Sequence, residues 1–171
     1  MTECCAAYRA AGQAVAALWR GAEIDHVEIN GVAINWPAMP ACGRPRSEVM
    51  ADIAIGLGGV VAVERHRFGW PPAEDTVAAW NFDEDQAADF SEATSLALAI
   101  DPTGADDVLF LAWCEALNCA LEHWREIETV AMPIQRNRRL TGDEVEAIAA
   151  GPFWRSVIEP GMQRHRGVPW P

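Results

Sequence analysis

A thiol and an imidazole lie one helical turn apart in the second half of the chain. In the segment Cys119-Ala-Leu-Glu122-His123, the first and last residues are four apart and would share one face of a helix. Cysteine and histidine are common zinc ligands, and Glu122 lies where a carboxylate base could act. No third ligand has an obvious place beside them. Cys119, Glu122 and His123 are therefore a candidate zinc site, and two ordinary helix residues are the favoured alternative.

Four acidic residues form the other group that could attract a cation. Asp83-Glu84-Asp85 is followed by Asp89, but this spacing does not match a calcium-binding loop. Carboxylates in this position instead favour the start of a helix, where the helix dipole stabilises negative charge. The histidines His26, His66 and His165 are far apart in the sequence and predict no ligand set. We therefore interpret the acidic group as a solvated helix start.

The elements that must position these residues are predicted by apolar periodicity. Apolar residues at helical spacing, with cap and stop residues around them, predict helices over 3–20, 48–65, 85–100, 103–130 and 141–151. Two alternating runs, 24–29 and 32–36, flank Asn30-Gly31 and predict a β-hairpin. The fold class is therefore mainly α with a small β-hairpin. Residues 1–151 form one domain in this prediction, and residues 152–171 form a Pro-, Trp- and Arg-rich tail packed on it.

Local sequence features add expectations about helix ends and helix contacts. Ser47 is expected to cap the second helix, and Pro133 is expected to end the long fourth helix. Thr141 and Glu144 have the spacing of a capping box. The second helix contains Ile55-Gly-Leu-Gly-Gly-Val-Val, and glycine weakens a helix by about 1 kcal/mol per residue. We expect these glycines to allow the close approach of another backbone.

Several short motifs, in their order along the chain, resemble the zinc-peptidase domain of FtsH-type proteases, in a small free-standing form without the ATPase. The first helix, Ala7-Tyr-Arg-Ala-Ala-Gly-Gln-Ala-Val-Ala-Ala17, resembles the A-x-H-E-A-G-H-A-V-x-A helix of that family. Ile55-Gly-Leu-Gly-Gly-Val-Val-Ala62 resembles L-A-G-x-A-A-E, and Asp89-Phe-Ser-Glu-Ala-Thr94 resembles D-x-x-x-A-T. Arg138-Arg-Leu-Thr-Gly-Asp-Glu-Val145 resembles the end of its last helices. The resemblance covers about residues 5–150.

The resemblance implies a zinc site whose ligands this sequence has largely lost. The H-E-A-G-H motif corresponds to Arg9-Ala10-Ala11-Gly12-Gln13, so Arg9 and Gln13 replace the two histidine ligands and Ala10 replaces the general base. Only the third ligand position is retained, as Asp89. Arginine cannot release a proton to bind a metal, alanine cannot act as a base, and glutamine is a weak zinc ligand. The resemblance therefore implies lost catalysis, no zinc cofactor, and an ion pair between Arg9 and Asp89.

The net charge of −12 is concentrated in the middle third of the chain. Residues 68–124 contain twelve Asp and Glu residues and no Arg, whereas the rest contains thirteen of each class. Lysine is absent, which excludes a Schiff-base nucleophile and a lysine-dependent phosphate-binding loop. An acidic centre repels nucleic acids and anionic membranes, so the expected partner is a basic protein. Apart from Asp89, the acids of this segment are expected to form a free surface.

Tryptophan residues accompany this acidic segment. The chain has eight of them, and tryptophan is enriched at the energetic centres of protein interfaces. The alternative is internal packing of the loops and the tail. The candidate interaction residues are aromatic or acidic, namely Trp36, Trp70, Trp80, Asp83, Glu84 and Asp85. By analogy with peptidase grooves, the hairpin strand over 32–36 could also bind an extended peptide along its edge.

These observations favour a catalytically inactive, peptidase-like protein that acts as a protein-binding or regulatory module. One alternative is a zinc metallopeptidase with non-standard ligands drawn from Asp89, Cys119, Glu122 and His123. Another is an acidic mimic of nucleic acid, of the kind that phages encode, which would inhibit a DNA- or RNA-binding protein. The N-terminal sequence does not resemble a signal peptide, and the longest uncharged apolar run has eleven residues. We therefore expect a cytoplasmic protein without membrane contact.

Overall fold

A computed structural model describes residues 2–34, 43–69 and 84–149 of the chain. Its elements, in chain order, are α1 (Glu3–Trp19), β1 (Ile24–Glu28), β2 (Gly31–Ile34), α2 (Arg46–Phe68), α3 (Glu84–Ile100), α4 (Ala105–Glu122), α5 (Trp124–Asn137), β3 (Arg139–Thr141) and α6 (Gly142–Ala149). The predicted fold class, mainly α with a small β element, is confirmed. No helix in these ranges has the length and apolar character needed to cross a membrane. The predicted tail lies outside the described residues, so the division at residue 151 stays a prediction.

The close crossing of α1 and α2 positions the first helix in the fold. Gly12 on α1 lies against the Gly58 carbonyl on α2, and Gly59 lies against Gln13. A β-carbon added at Gly58 would lie 2.9 Å from the Ala16 β-carbon and 3.1 Å from the Gly12 carbonyl oxygen. The helices therefore approach closely because glycine lies between them. This confirms the role predicted for the glycines of the second helix.

Adding a methyl group at Gly58 is expected to destabilise the protein, whereas the same change at Gly56 is expected to stabilise it. At Gly56, an added β-carbon meets no described atom within 4 Å outside the helix's own backbone. Gly56→Ala should therefore gain about 1 kcal/mol of helix propensity. Gly58→Ala makes the same gain but separates α1 from α2, at a cost of about 1–3 kcal/mol. Chemical denaturation of the two variants compares them, and equal stability would contradict the close crossing.

The sheet has three antiparallel strands, in the order β2-β1-β3 among the described residues. The predicted hairpin of β1 and β2 is confirmed. Its turn consists of Ile29 and Asn30, one residue earlier than the predicted Asn30-Gly31. The Ile29 amide donates a hydrogen bond to the Arg138 carbonyl, next to β3. The third strand was not predicted because β3 has only three residues, too few to show an alternating pattern.

Two predictions about the long fourth helix were wrong. The region 103–130 is not one helix, because α4 and α5 meet at His123, whose φ of −118° and ψ of 28° interrupt the helical backbone. Pro133 does not end α5, which continues to Asn137. Ile134 follows the proline and is fully buried in the core. Packing of this apolar face offsets the hydrogen bond that proline cannot donate.

Helix starts were predicted with mixed success. Ser47 does not cap α2, because the helix already begins at Arg46 and Ser47 lies in its first turn. The capping box is confirmed, since the Thr141 amide donates to Glu144 Oε2 at 2.8 Å and the Glu144 amide donates to Thr141 Oγ1 at 3.3 Å. The hydrogen bond from the Thr141 amide lowers the pKa of the Glu144 carboxyl. Local side-chain chemistry therefore determines the start of α6.

Candidate functional site

Arg9 on α1 and Asp89 on α3 form a two-pronged ion pair between the two helices. Arg9 Nε donates to Asp89 Oδ2 at 2.6 Å, and Arg9 Nη2 donates to Asp89 Oδ1. The third nitrogen, Nη1, donates to the Asn30 carbonyl in the hairpin turn at 2.8 Å. The two side chains are only 15% and 7% exposed, so this charge-assisted pair is largely shielded from water. The ion pair predicted from the sequence is confirmed.

Gln13 lies one turn after Arg9 and contacts the same carboxylate. Its Nε2 donates to Asp89 Oδ2 at 3.5 Å, in a buried position. Ala10 lies fully buried in the core and carries no functional group. Three side-chain nitrogens of α1 therefore surround the Asp89 carboxylate, and each of them acts as a donor.

These residues do not fit the zinc ion that the resemblance implies. A guanidinium has no lone pair to give to a metal, and its positive charge repels one. The amide of Gln13 uses its nitrogen toward Asp89, which leaves one carboxylate as the single strong ligand. Across residues 2–34, 43–69 and 84–149, no three His, Cys, Asp or Glu side chains are grouped so that they could hold a metal ion.

A cleft of about 420 Å³ opens beside the ion pair, between β2, α2 and α3. We call it the β2 cleft. Asp89 and Gln13 form part of its wall. Its apolar lining comes from all three elements and includes Val32, Ile34, Ile55 and Leu96. Among the described strands, β2 is at the end of the order and pairs with β1 along one edge.

The charged side chains around the β2 cleft have a net negative charge. Arg44 donates to Asp52 at 2.5 Å and to Glu48 at 3.4 Å, and the hydrogen bond to Asp52 raises the pKa of Arg44. This guanidinium is therefore neutralised by its neighbours. Glu92 on α3 also lines the cleft and is exposed to solvent. The cleft consequently suits a ligand with apolar and basic side chains.

The structure does not bring the alternative zinc ligands to Asp89. Cys119 is buried, and burial raises the pKa of its thiol to about 12. His123 is buried beside Trp19, and burial lowers the pKa of its imidazole. Asp89 contacts residue 9 of α1, whereas His123 contacts residue 19, about 15 Å further along the helix. A shared site of Asp89 with Cys119 or His123 is therefore incompatible with this arrangement.

The acids of the middle segment do not all form a free surface, so that prediction was wrong. Glu115 on α4 pairs with Arg20 on α1. Asp101 Oδ2 lies 3.4 Å from Arg46 Nη1. Asp101 also accepts a hydrogen bond from the Gly104 amide at 2.9 Å, before α4 begins. These carboxylates stabilise helix packing and helix starts. The described acids of the segment that remain exposed are Glu92, Asp106, Asp107 and Glu122.

Most of the predicted interaction residues lie outside the described part of the chain. These are Trp36, Trp70, Trp80 and Asp83, while Glu84 and Asp85 begin α3 but their side chains are not described. Their role therefore stays a prediction. The tryptophans that the structure describes pack in or against the hydrophobic core, and they are Trp19, Trp113 and Trp124.

Three polar contacts near the end of α2 were not predicted. Gln86 is fully buried and donates to Glu64 Oε1 at 2.8 Å, while Arg67 donates to Gln86 Oε1 at 3.3 Å. Cys4 Sγ lies 3.2 Å from His66 Nε2. The position of Glu64, directly after an apolar run, is a sequence signal for a buried acid. Cys4 and His66 are 62 positions apart in the sequence, and no such signal relates them.

No protein-family model matches this sequence, and no curated protein matches it. The function must therefore be inferred from the geometry around Arg9 and Asp89 and from the β2 cleft beside them.

Proposed function

We propose that this protein is a catalytically inactive relative of FtsH-type zinc peptidases and that it binds an extended segment of a basic protein in the β2 cleft. The observation that carries the proposal is the pair formed by Arg9 and Asp89. Residues 13 and 89 are 76 positions apart in the sequence, yet they meet beside this pair. Two motifs that were related only by the resemblance are therefore in contact in the fold, which supports the proposed relationship.

The chemistry at this point supports binding without hydrolysis. A zinc peptidase needs a metal that lowers the pKa of bound water and a carboxylate that accepts its proton. Here Arg9 neutralises the one retained carboxylate, and position 10 is a buried alanine. Neither group needed to activate water is supplied by the side chains around Asp89.

The β2 edge supports recognition of an extended peptide. A peptide strand that pairs with β2 would gain backbone hydrogen bonds, independent of its sequence. Val32 and Ile34 are two residues apart on β2 and line the cleft, so they share one face of the strand. Ile55 on α2 and Leu96 on α3 provide further apolar surface for alternate side chains of the peptide.

The negative charge of the cleft and of the whole chain favours basic peptides. The arginines beside the β2 cleft are engaged by carboxylates, whereas Glu92 is exposed at its wall. The net charge of the chain is −12, which attracts basic segments over distance. The preferred ligand is therefore a peptide in which apolar residues alternate with arginine or lysine.

Filling the β2 cleft is expected to abolish peptide binding. Peptides selected from a random display library should alternate apolar and basic residues, and their affinity is measured by fluorescence anisotropy. Leu96→Trp places a large ring in the cleft and should weaken binding roughly tenfold or more. Leu98→Trp on the same helix is the matched control, because Leu98 is exposed and does not line the cleft. Equal affinities of the two variants would contradict binding in the β2 cleft.

A charge-matched pair of variants tests whether the negative charge at the cleft wall contributes to peptide binding. Glu92→Gln and Asp106→Asn each remove one negative charge, but only Glu92 lines the cleft. We expect Glu92→Gln to weaken binding of basic peptides about threefold and Asp106→Asn to leave it nearly unchanged.

Two other outcomes would favour the alternative functions. Stoichiometric zinc in the purified wild-type protein, with chelator-sensitive peptide cleavage, would identify a metallopeptidase and contradict the proposal. Salt-sensitive capture of a nucleic-acid-binding protein that Leu96→Trp leaves unaffected would instead identify an acidic mimic of nucleic acid.

A further inference from the structure

A thiol and an imidazole meet where α1 begins and α2 ends. Cys4 Sγ lies 3.2 Å from His66 Nε2, which is a hydrogen-bonding distance for sulfur. Neither side chain lines the β2 cleft or contacts the Arg9–Asp89 pair. We propose that Cys4 and His66 form a reactive-thiol site that exchanges with low-molecular-weight disulfides.

Stacked rings hold the imidazole in position. The His66 ring stacks on Tyr8 with centroids 3.8 Å apart and planes inclined by 13°, and Tyr8 stacks on Trp124 with centroids 5.7 Å apart. The Arg65 guanidinium lies 4.3 Å from the Trp124 ring centroid. Because this stack restricts rotation of the His66 ring, Nε2 stays directed at the Cys4 sulfur.

His66 is placed to act as a general base for Cys4. Its Nε2 can accept the thiol proton as the sulfur attacks a disulfide. Cys4 is also the second residue of α1, where the helix dipole stabilises negative charge that develops on the sulfur. The neighbouring carboxylate of Glu3 pairs with Arg138 at 2.5 Å, so its own negative charge is partly balanced.

A small-molecule disulfide has a place to bind beside this pair. A shallow pocket of about 330 Å³ is lined by Arg65, His66, Trp124 and Glu128 together with one glycine. Arg65 and Glu128 supply one charge of each sign, and Trp124 supplies an apolar surface. The pocket therefore suits a zwitterionic disulfide, whose carboxylate and ammonium groups have opposite partners on the protein.

The exchange balances without any other reactant. As His66 Nε2 takes the thiol proton, Cys4 Sγ attacks one sulfur of the disulfide and forms a new S–S bond, while the old S–S bond breaks and the other half leaves as a thiolate. That leaving thiolate takes the proton held at His66 Nε2. The Cys4 sulfur is oxidised to the mixed disulfide, and the released half is reduced to a thiol.

Rates of mixed-disulfide formation test the proposal on the full chain. Cystine is the zwitterionic probe, 2-hydroxyethyl disulfide is the neutral probe, and peptide mass spectrometry assigns each adduct. We expect Cys4 to react roughly ten- to hundredfold faster than Cys114, which is also partly buried, and the buried Cys119 to stay unmodified. His66→Phe keeps a ring to stack on Tyr8 but removes Nε2, so Cys4 should then react at the rate of Cys114.

Equal rates for Cys4 and Cys114 in the wild-type protein, or an unchanged Cys4 rate in His66→Phe, would overturn the proposal. A faster reaction with 2-hydroxyethyl disulfide than with cystine would overturn the role given to Arg65 and Glu128.

Discussion

A variant carrying Arg9→His and Gln13→His is expected to bind about one zinc ion per chain, because two histidines and Asp89 would form a three-ligand site. Arg9 Nε and Gln13 Nε2 lie 2.6 Å and 3.5 Å from Asp89 Oδ2. Histidine Nε2 reaches about as far from the backbone as these nitrogens do. Two ligand atoms on a tetrahedral zinc are about 3.3 Å apart, so the observed separations bracket the required one.

Zinc content after dialysis and the zinc dependence of Tm measure zinc binding by the double variant. Zinc should raise the Tm of the double variant and leave the wild-type Tm unchanged, because only a protein that binds the ion in its folded state is stabilised. Adding Asp89→Asn removes the third ligand and should weaken zinc binding roughly tenfold or more. A folded double variant that takes up no zinc would contradict both the placement of Asp89 and the proposed relationship to FtsH-type peptidases.

Zinc binding by the double variant should not produce peptide hydrolysis. Under the proposed relationship, Ala10 corresponds to the general base, and it is fully buried in the core. A bound zinc ion alone would therefore lack a carboxylate to accept the proton of water. The proposed function thus predicts metal binding without catalysis, and a peptidase assay on the zinc-loaded variant checks this.

The contacts that could be predicted from the sequence are those with a local or chemical signature. Glycines inside α2 weaken the helix unless another backbone approaches them, and Gly58 indeed lies against Gly12. Thr141 and Glu144 are three residues apart and cap α6 through their own side chains. The contact of Arg9 with Asp89 has no local signature and was predicted because the resemblance to FtsH-type peptidases implies that their two motifs lie together.

The features that the sequence did not predict depend on distant partners. Arg139 on β3 pairs with Glu28 on β1, 111 residues earlier, so no local pattern reveals the strand. Pro133 is tolerated in α5 because the neighbouring Ile134 packs in the core, which propensity alone cannot show. The β2 cleft likewise combines three elements that are separate in the sequence, and its charged wall is visible only once they are assembled.

Removing one partner of the Arg9–Asp89 pair is expected to lower the free energy of unfolding far more than removing both partners. Asp89→Leu deprives the largely buried Arg9 guanidinium of its counter-charge, and Arg9→Leu does the same to Asp89, at about 2–4 kcal/mol each. The double variant replaces the pair by apolar side chains and should lie within about 1 kcal/mol of the wild-type protein. Denaturant unfolding of the four proteins gives the coupling energy.

An exposed arginine–carboxylate pair provides the control cycle. Arg139 lies 3.2 Å from Glu28 with both side chains largely in solvent, so its coupling should be about 0.2–1 kcal/mol. If Arg9 takes the place of a metal ion as the charge that balances Asp89, the coupling energy of the Arg9–Asp89 pair must be several times larger than that of the Arg139–Glu28 pair. Similar coupling energies in both cycles would mean that Asp89 tolerates the loss of Arg9, which would contradict the proposal that the guanidinium substitutes for a metal cation.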